Sequence, residues 1–416
     1  MSRETFTNIL HRVFQSNKDT LSFRLANAHP LEPNTIHVPE ELFAAAFEEP
    51  EIASLDGLIF NQGNFAATFR VRSLLEALIA SCQRNGIEHS LAAMYEFINS
   101  DVNRRLDVVI LEGVCVREIT EIVDGIFIAP QRSVPSSTLQ AYLTFLARPS
   151  PQTPFSMLHI LDGEKRPEGA ALYTVCEVSP RFYAKMPSLS IPAEPDPIYQ
   201  IANILTIAGP SSPVASKTYS ELADGEFLKG RAGFGWGRTQ SETRVTKETE
   251  LSPDTLRKIK STIRKYLALR PEVKKKLAVP LHRLNEAIKH QNAVDRALDL
   301  GIALEALLLA HQPSKEQLSL QFRLRGAWLL GENGQQRTAL YEVFNKLYAY
   351  RSFAAHSGAV APTKTPEEEV KKTLSDGLTL CADAIRKIVD MSGFPAWDRL
   401  IVGADYVLDE HEYPNE

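Results

Sequence analysis

Between Asn292 and Pro313 the chain passes through Leu298, Leu300, Ile302, Ala303, Leu304, Ala306, Leu307, Leu308 and Leu309. Wound as a helix, these residues are apolar on every side. Such a helix offers no face to water, so other elements have to surround it. It belongs at the centre of a packed helical region. From Leu300 to Leu309 the single charge is Glu305. A buried carboxylate without a partner is costly, so Glu305 should be paired or shifted toward its neutral form. With a partner that stays buried and charged, Glu305→Ala is expected to cost about 3 kcal/mol.

The rest of the second half supplies the surroundings. Ser252-Pro253-Asp254 starts a helix, with proline in its first turn. Leu256, Ile259, Ile263, Tyr266 and Leu267 form its apolar face. Its other face is basic and continues into the next segment: Arg257, Lys258, Lys260, Arg264, Lys265, Arg270, Lys274, Lys275 and Lys276. Such a cluster either tracks an RNA backbone, through Arg257, Lys260, Arg264, Lys274 and Lys275, or is a solvated helix face. A short helix is expected after Pro280, with Arg283 and His290 on its surface. Ser314 and Gln317 make a capping-box start for a helix that carries Arg323 and Arg325 and stops at Gly331. The segment 336–355 is helical and ends near Gly358. Thr365-Pro366-Glu367-Glu368 opens the last long helix, which runs to about Met391.

The first half has a different texture. Phe6 to Phe14, Pro39 to Phe47, Leu74 to Cys82 and Leu91 to Ile98 read as helices. Segments 106–116 and 119–129 are rich in Val and Ile, with Glu112-Gly113 and Asp124-Gly125 as turn signals. Segments 155–161 and 169–178 add strand-like runs. Six prolines between 187 and 213 point to an exposed connector or a long functional loop. Arg231-Ala-Gly-Phe-Gly-Trp-Gly-Arg238 lacks the lysine of a phosphate-binding P-loop and reads as an interdomain turn. The expected architecture is an α+β N-terminal domain (1–240, with its Pro-rich connector at 187–213) followed by an all-α helical domain (241–416).

At 416 residues the chain exceeds one ordinary domain. A net charge of −5 gives no case for whole-chain nucleic-acid binding but allows a local basic surface. Cys82, Cys115, Cys176 and Cys381 are scattered, as reduced thiols in a cytoplasmic protein would be, not zinc ligands. The N-terminal stretch lacks the apolar core of a signal peptide, and no apolar run approaches a membrane span.

Four arginine–histidine pairs have similar spacing: Arg24–His29, Arg84–His89, Arg283–His290 and Arg351–His356. A histidine beside a fixed guanidinium can do acid–base chemistry next to a phosphate. Spacing does not choose among them. Five steps of a regular helix set Arg351 and His356 roughly 140° apart. They converge only if the helix ends near His356 or if a second chain completes the site.

Context favours the last pair. Leu298-Asp-Leu-Gly-Ile-Ala-Leu-Glu305-Ala-Leu-Leu308, Phe322-Arg-Leu-Arg325-Gly-Ala-Trp-Leu-Leu-Gly331 and Leu347-Tyr-Ala-Tyr350-Arg351-Ser352-Phe-Ala-Ala-His356-Ser-Gly358 occur in this order. Together they resemble the Apea-like branch of the HEPN superfamily over about 251–391. In that branch glycine often follows the histidine directly; here Ser357 intervenes. The resemblance implies a HEPN-like helical bundle that dimerises. It also implies a ribonuclease needing no metal or other cofactor, in antiphage defence or a toxin-like response. Arg351 and His356 would be the catalytic pair and Glu305 the supporting acid, with Arg325, Tyr350 and Ser352 around them. The implied partners are RNA and a second copy, with a regulatory protein left open and no membrane. The alternative is a non-catalytic dimeric scaffold or regulatory binding protein, with Glu305 in a structural ion pair and His356 as a helix cap.

Overall fold

The computed structural model describes residues 3–16, 36–63, 66–135, 169–187, 195–229, 235–238, 245, 248–309 and 317–403. Its N-terminal part contains sheets, and its C-terminal region is helical. The expected strand at 155–161, the Arg24–His29 pair and Ser314 lie outside the described residues.

The chain opens with helices α1 (Arg3–Ser16), α2 (Glu40–Glu48) and α3 (Pro50–Ala53). Strands β1 (Ile59–Asn61) and β2 (Ala66–Thr68) follow, then helices α4 (Val71–Asn85) and α5 (Ile87–Asn99). The amphipathic helices meet as their apolar periods dictate: Phe6, Leu10, Leu42, Ile52, Leu74, Leu78 and Met94 are fully buried in one core. Gly86, at φ 83°, makes the break between α4 and α5.

Strands β3 (Asn103–Cys115), β4 (Thr120–Val123), β5 (Ile126–Pro130) and β6 (Gly169–Val178) come next. After them lie β7 (Phe182–Tyr183), helix α6 (Pro197–Ile204), β8 (Val214–Leu222), β9 (Gly235–Arg238) and β10 (Thr249–Glu250). The large sheet runs β4-β5-β6-β3-β8-β9, and β10 pairs parallel to the end of β3. β7 joins β1 and β2 in a small second sheet. The central strand β3 is buried on both faces. Val109 and Leu111 look toward the helical half, while Leu106, Val108 and Ile110 look the other way.

Three expectations change here. Glu112-Gly113 is not a turn. Against β6 the register jumps from Leu111 to Cys115, so Glu112-Gly113 lies in a bulge, and a Cβ on Gly113 would lie 2.1 Å from the Ser212 carbonyl oxygen. The 187–213 stretch is not an exposed connector over its described part. Asp196 caps α6, Pro197 fills its first turn, and Ile198, Ile201, Ile204, Leu205 and Ile207 are buried between sheet and helices. The proline count predicted irregularity, but proline also starts helices. Finally, Gly235 to Arg238 is an edge strand on β8, not a turn.

The helical half comprises α7 (Pro253–Leu267), α8 (Pro271–Lys289), α9 (Ala293–Leu308), α10 (Leu318–Leu330), α11 (Gly334–Ser357), α12 (Glu367–Asp390) and short α13 (Trp397–Ile401). Ser252 caps α7 as expected. α8 passes unbroken through Pro280. Val273 and Leu277 before the proline, and Leu281 and Leu284 after it, bury one continuous face. That burial offsets the lost backbone bond. No described helix is long and apolar enough to cross a membrane.

α9 is central but not buried all round. Ala297, Leu300, Ala303, Leu304, Leu307 and Leu308 are buried, whereas Leu298, Ile302, Glu305, Ala306 and Leu309 form a half-buried stripe. The core around α9 continues into the helix-facing side of the large sheet. The change from sheet to helices near 240 is therefore crossed by one apolar core.

Candidate functional site

α11 is regular to Ser357 and ends where Gly358 turns to φ 68°, its N–H donating to the Ala354 carbonyl. It carries Tyr350, Arg351, Ser352 and His356. Tyr350 is buried in the core, Ser352 is half-buried and His356 is exposed. Because the helix stays regular between them, Arg351 and His356 point to different sides of it. Within one chain they do not meet.

Arg351 meets α9 instead. Its aliphatic stem lies on the bare backbone of Gly301, where a Cβ would come 2.1 Å from Arg351 Cγ. One turn further along, Glu305 Oε2 accepts from Arg351 Nη2 at 3.0 Å. The side chains retain 32% and 25% of their exposure, so water screens the pair. Arg351 Nε is buried without a partner among the described residues. Burial raises the Glu305 carboxyl above its ordinary value, and the Arg351 charge and hydrogen bond pull against that rise. The expected partner for Glu305 is thus present, but the pair sits at the rim of the core and not inside it.

Arg325 is not part of this pair. It is 5% exposed, donates from Nη1 to the Leu308 carbonyl at 2.8 Å, and stacks its guanidinium over the Trp397 ring. It caps the C-terminal end of α9, where a cation is favourable. Burial lowers its pKa, and Asp398 opposes that effect.

The basic residues of α7 and α8 are partly spent on acids. Arg257 donates to Asp254 at 2.7 Å, and Arg264 lies 3.9 Å from Asp124. Lys265 reaches Asp390. Lys260 and Lys274 are half-buried, and Lys275 is exposed.

A different arginine and histidine do converge. Arg283 Nη1 donates to Asp299 Oδ1 at 2.9 Å, and His290 Nε2 lies 2.8 Å from Asp299 Oδ2. Asp299 is 8% exposed. Sequence reasoning placed Arg283 and His290 at the surface. A signal was available: seven helical steps bring two residues within roughly 20° of one face. Asp299 also stands as a charge in the apolar run of α9. At β3 a second buried cluster was missed. Arg105 donates to Asp107 Oδ2 through Nε at 2.9 Å and Nη2 at 2.6 Å, and Ser220 donates to the other oxygen. Here the signal was two charges at alternate positions of a Val/Ile-rich strand, and hence on one face.

Comparison of the chain with protein-family models, curated proteins and solved structures found no match.

Proposed function

We propose that this protein is a metal-independent endoribonuclease of the HEPN type, an effector in cytoplasmic antiphage defence or a toxin-like stress response. The observation that supports this reading is the presentation of α11. Arg351 is pinned to Gly301 and Glu305 at the rim of the core, and His356 stands exposed on the last turn. A pinned guanidinium is suited to holding a phosphate with little loss of freedom on binding. An exposed imidazole is free to move protons.

The two groups lie on different sides of one helix, so the proposed centre forms between two copies. The half-buried stripe of Leu298, Ile302 and Ala306 beside Glu305 offers apolar area for that contact. In the proposed reaction His356 takes the proton from a ribose 2′-hydroxyl. The oxygen attacks the adjacent phosphorus, and the 5′-oxygen leaves with a proton returned by an imidazole. Arg351 stabilises the charge that builds on the phosphate oxygens. The products are a 2′,3′-cyclic phosphate and a 5′-hydroxyl.

One observation favours a non-catalytic scaffold. The Arg351–Glu305 pair is complete within one chain, as a structural ion pair would be. A single experiment separates the readings: purified protein is incubated with total cellular RNA in excess EDTA, beside Arg351→Ala and His356→Ala proteins. Cleavage by the unaltered protein alone, leaving cyclic phosphate ends, is the expected result. Cleavage that persists in both variants would overturn the assignment. Absence of cleavage, together with the same growth on phage challenge for cells carrying the His356→Ala protein and the unaltered one, would favour the scaffold.

A further inference from the structure

The α8–α9 hairpin holds the group of Arg283, His290, Arg296 and Asp299, which the proposed centre does not use. Asp299 is the only carboxylate hydrogen-bonded to Arg283 and His290 among the described residues, and each of its oxygens is taken. If Nε2 of His290 carries the hydrogen that Asp299 accepts, Nδ1 holds the lone pair. Nδ1 has no partner among the described residues. Arg283 uses one Nη on Asp299, and its remaining N–H groups are likewise unpaired there. Its side chain is 41% exposed and that of His290 is 21% exposed.

Arg296 adds a second cation. Its Nε donates to the Ala287 carbonyl at 3.3 Å and its Nη2 to the His290 carbonyl. Neither is a carboxylate, and burial lowers the Arg296 pKa. On α8 Lys289 and Glu286 pair with each other, and on α9 Asp295 lies one turn before Asp299. Hydrogen-bonded to one another are one guanidinium, one imidazole and one carboxylate, with Arg296 and Asp295 beside them as a further cation and anion. A helix-to-helix staple alone would leave few donors idle. Arg283 and His290 instead keep nitrogens that Asp299 does not use, on side chains that reach solvent.

We propose that Arg283 and His290, oriented by Asp299, form a binding site for a phosphate oxyanion. The fork of Arg283 not used by Asp299 takes two phosphate oxygens, and His290 Nδ1 makes a third hydrogen bond to the phosphate. On α9 this site lies about 9 Å along the axis from Glu305 and roughly 120° around it, so it is separate from the Arg351 rim. The proposal does not depend on ribonuclease activity.

The test is a histidine-ring NMR titration of the full-length protein with inorganic phosphate, and separately with a short oligouridylate. The His290 signals are assigned by their loss in His290→Gln. Saturable movement of the His290 ring in the millimolar range with phosphate, abolished in Arg283→Gln, is expected. Arg283→Lys, which keeps the charge but loses the fork, should retain a weaker shift. Movement with the oligouridylate as well assigns the source to a nucleic-acid backbone; movement with phosphate alone assigns it to a small phosphorylated molecule. No saturable movement with either probe, or movement that persists unchanged in Arg283→Gln, overturns the site.

Discussion

Asp299 and Glu305 lie six residues apart on one helix, on different sides of it, and each takes an arginine. Asp299 is buried and draws both its partners from α8 and the residue that caps it, so one hairpin assembles the whole group. Glu305 is a quarter exposed and draws Arg351 from 46 residues away, while His356 stays outside. The lesson concerns what makes an arginine–histidine pair converge. Seven helical steps return nearly to the starting face, whereas five do not. A shared carboxylate on a neighbouring helix then turns that common face into a contact. Arg283–His290 has both features within one chain; Arg351–His356 has neither.

The largest test of this contrast is Asp299→Ala. It strands Arg283 and His290 beside the core and should cost about 2–3 kcal/mol in urea unfolding, discounted because Arg283 reaches solvent. If Glu305→Ala costs more than Asp299→Ala, the ranking of the two sites is wrong. Gly301→Ala comes next. The added methyl gains helix propensity but collides with the base of the Arg351 side chain, so a net loss of about 2 kcal/mol is expected. In that background Glu305→Ala should add almost nothing, a non-additivity that a double-mutant cycle reads directly. Glu305→Ala alone should cost about 1 kcal/mol, below the value expected for a fully buried pair, because both side chains keep solvent contact.

The smallest effect is a pH slope. The folded-state pKa of Glu305 is raised, so between the ordinary carboxyl value and the raised one the native protein binds more protons than the unfolded chain. Stability due to this group therefore falls as pH rises through that window. Glu305→Gln should flatten that part of the pH–stability curve, measured by thermal unfolding in the acid range. An unchanged curve would mean that Arg351 cancels the effect of burial.

Much of the helical half was legible from local chemistry. Ser252-Pro253 starts α7 and Gly358 ends α11 because capping and positive φ are short-range properties of the residues concerned. The same holds for the Gly86 break and for the long strands around β3. Where reading failed, a distant neighbour had the deciding vote. Pro280 lies inside a helix because the residues on both sides of it share one buried face. Proline-rich 195–213 is core because Ile198, Ile201 and Ile204 find the sheet on one side and helices on the other.

By itself the sequence determined the amphipathic periods, the helix ends marked by Ser252 and Gly358, and the need for a partner at Glu305, since each follows from residues within a few turns. Only the tertiary structure decided which arginine answers that need, that Gly301 leaves room for it, that Arg325 caps α9, and that His290 rather than His356 shares a carboxylate with an arginine. Those outcomes depend on which faces of separate helices are pressed together, and that is settled by packing of the whole core.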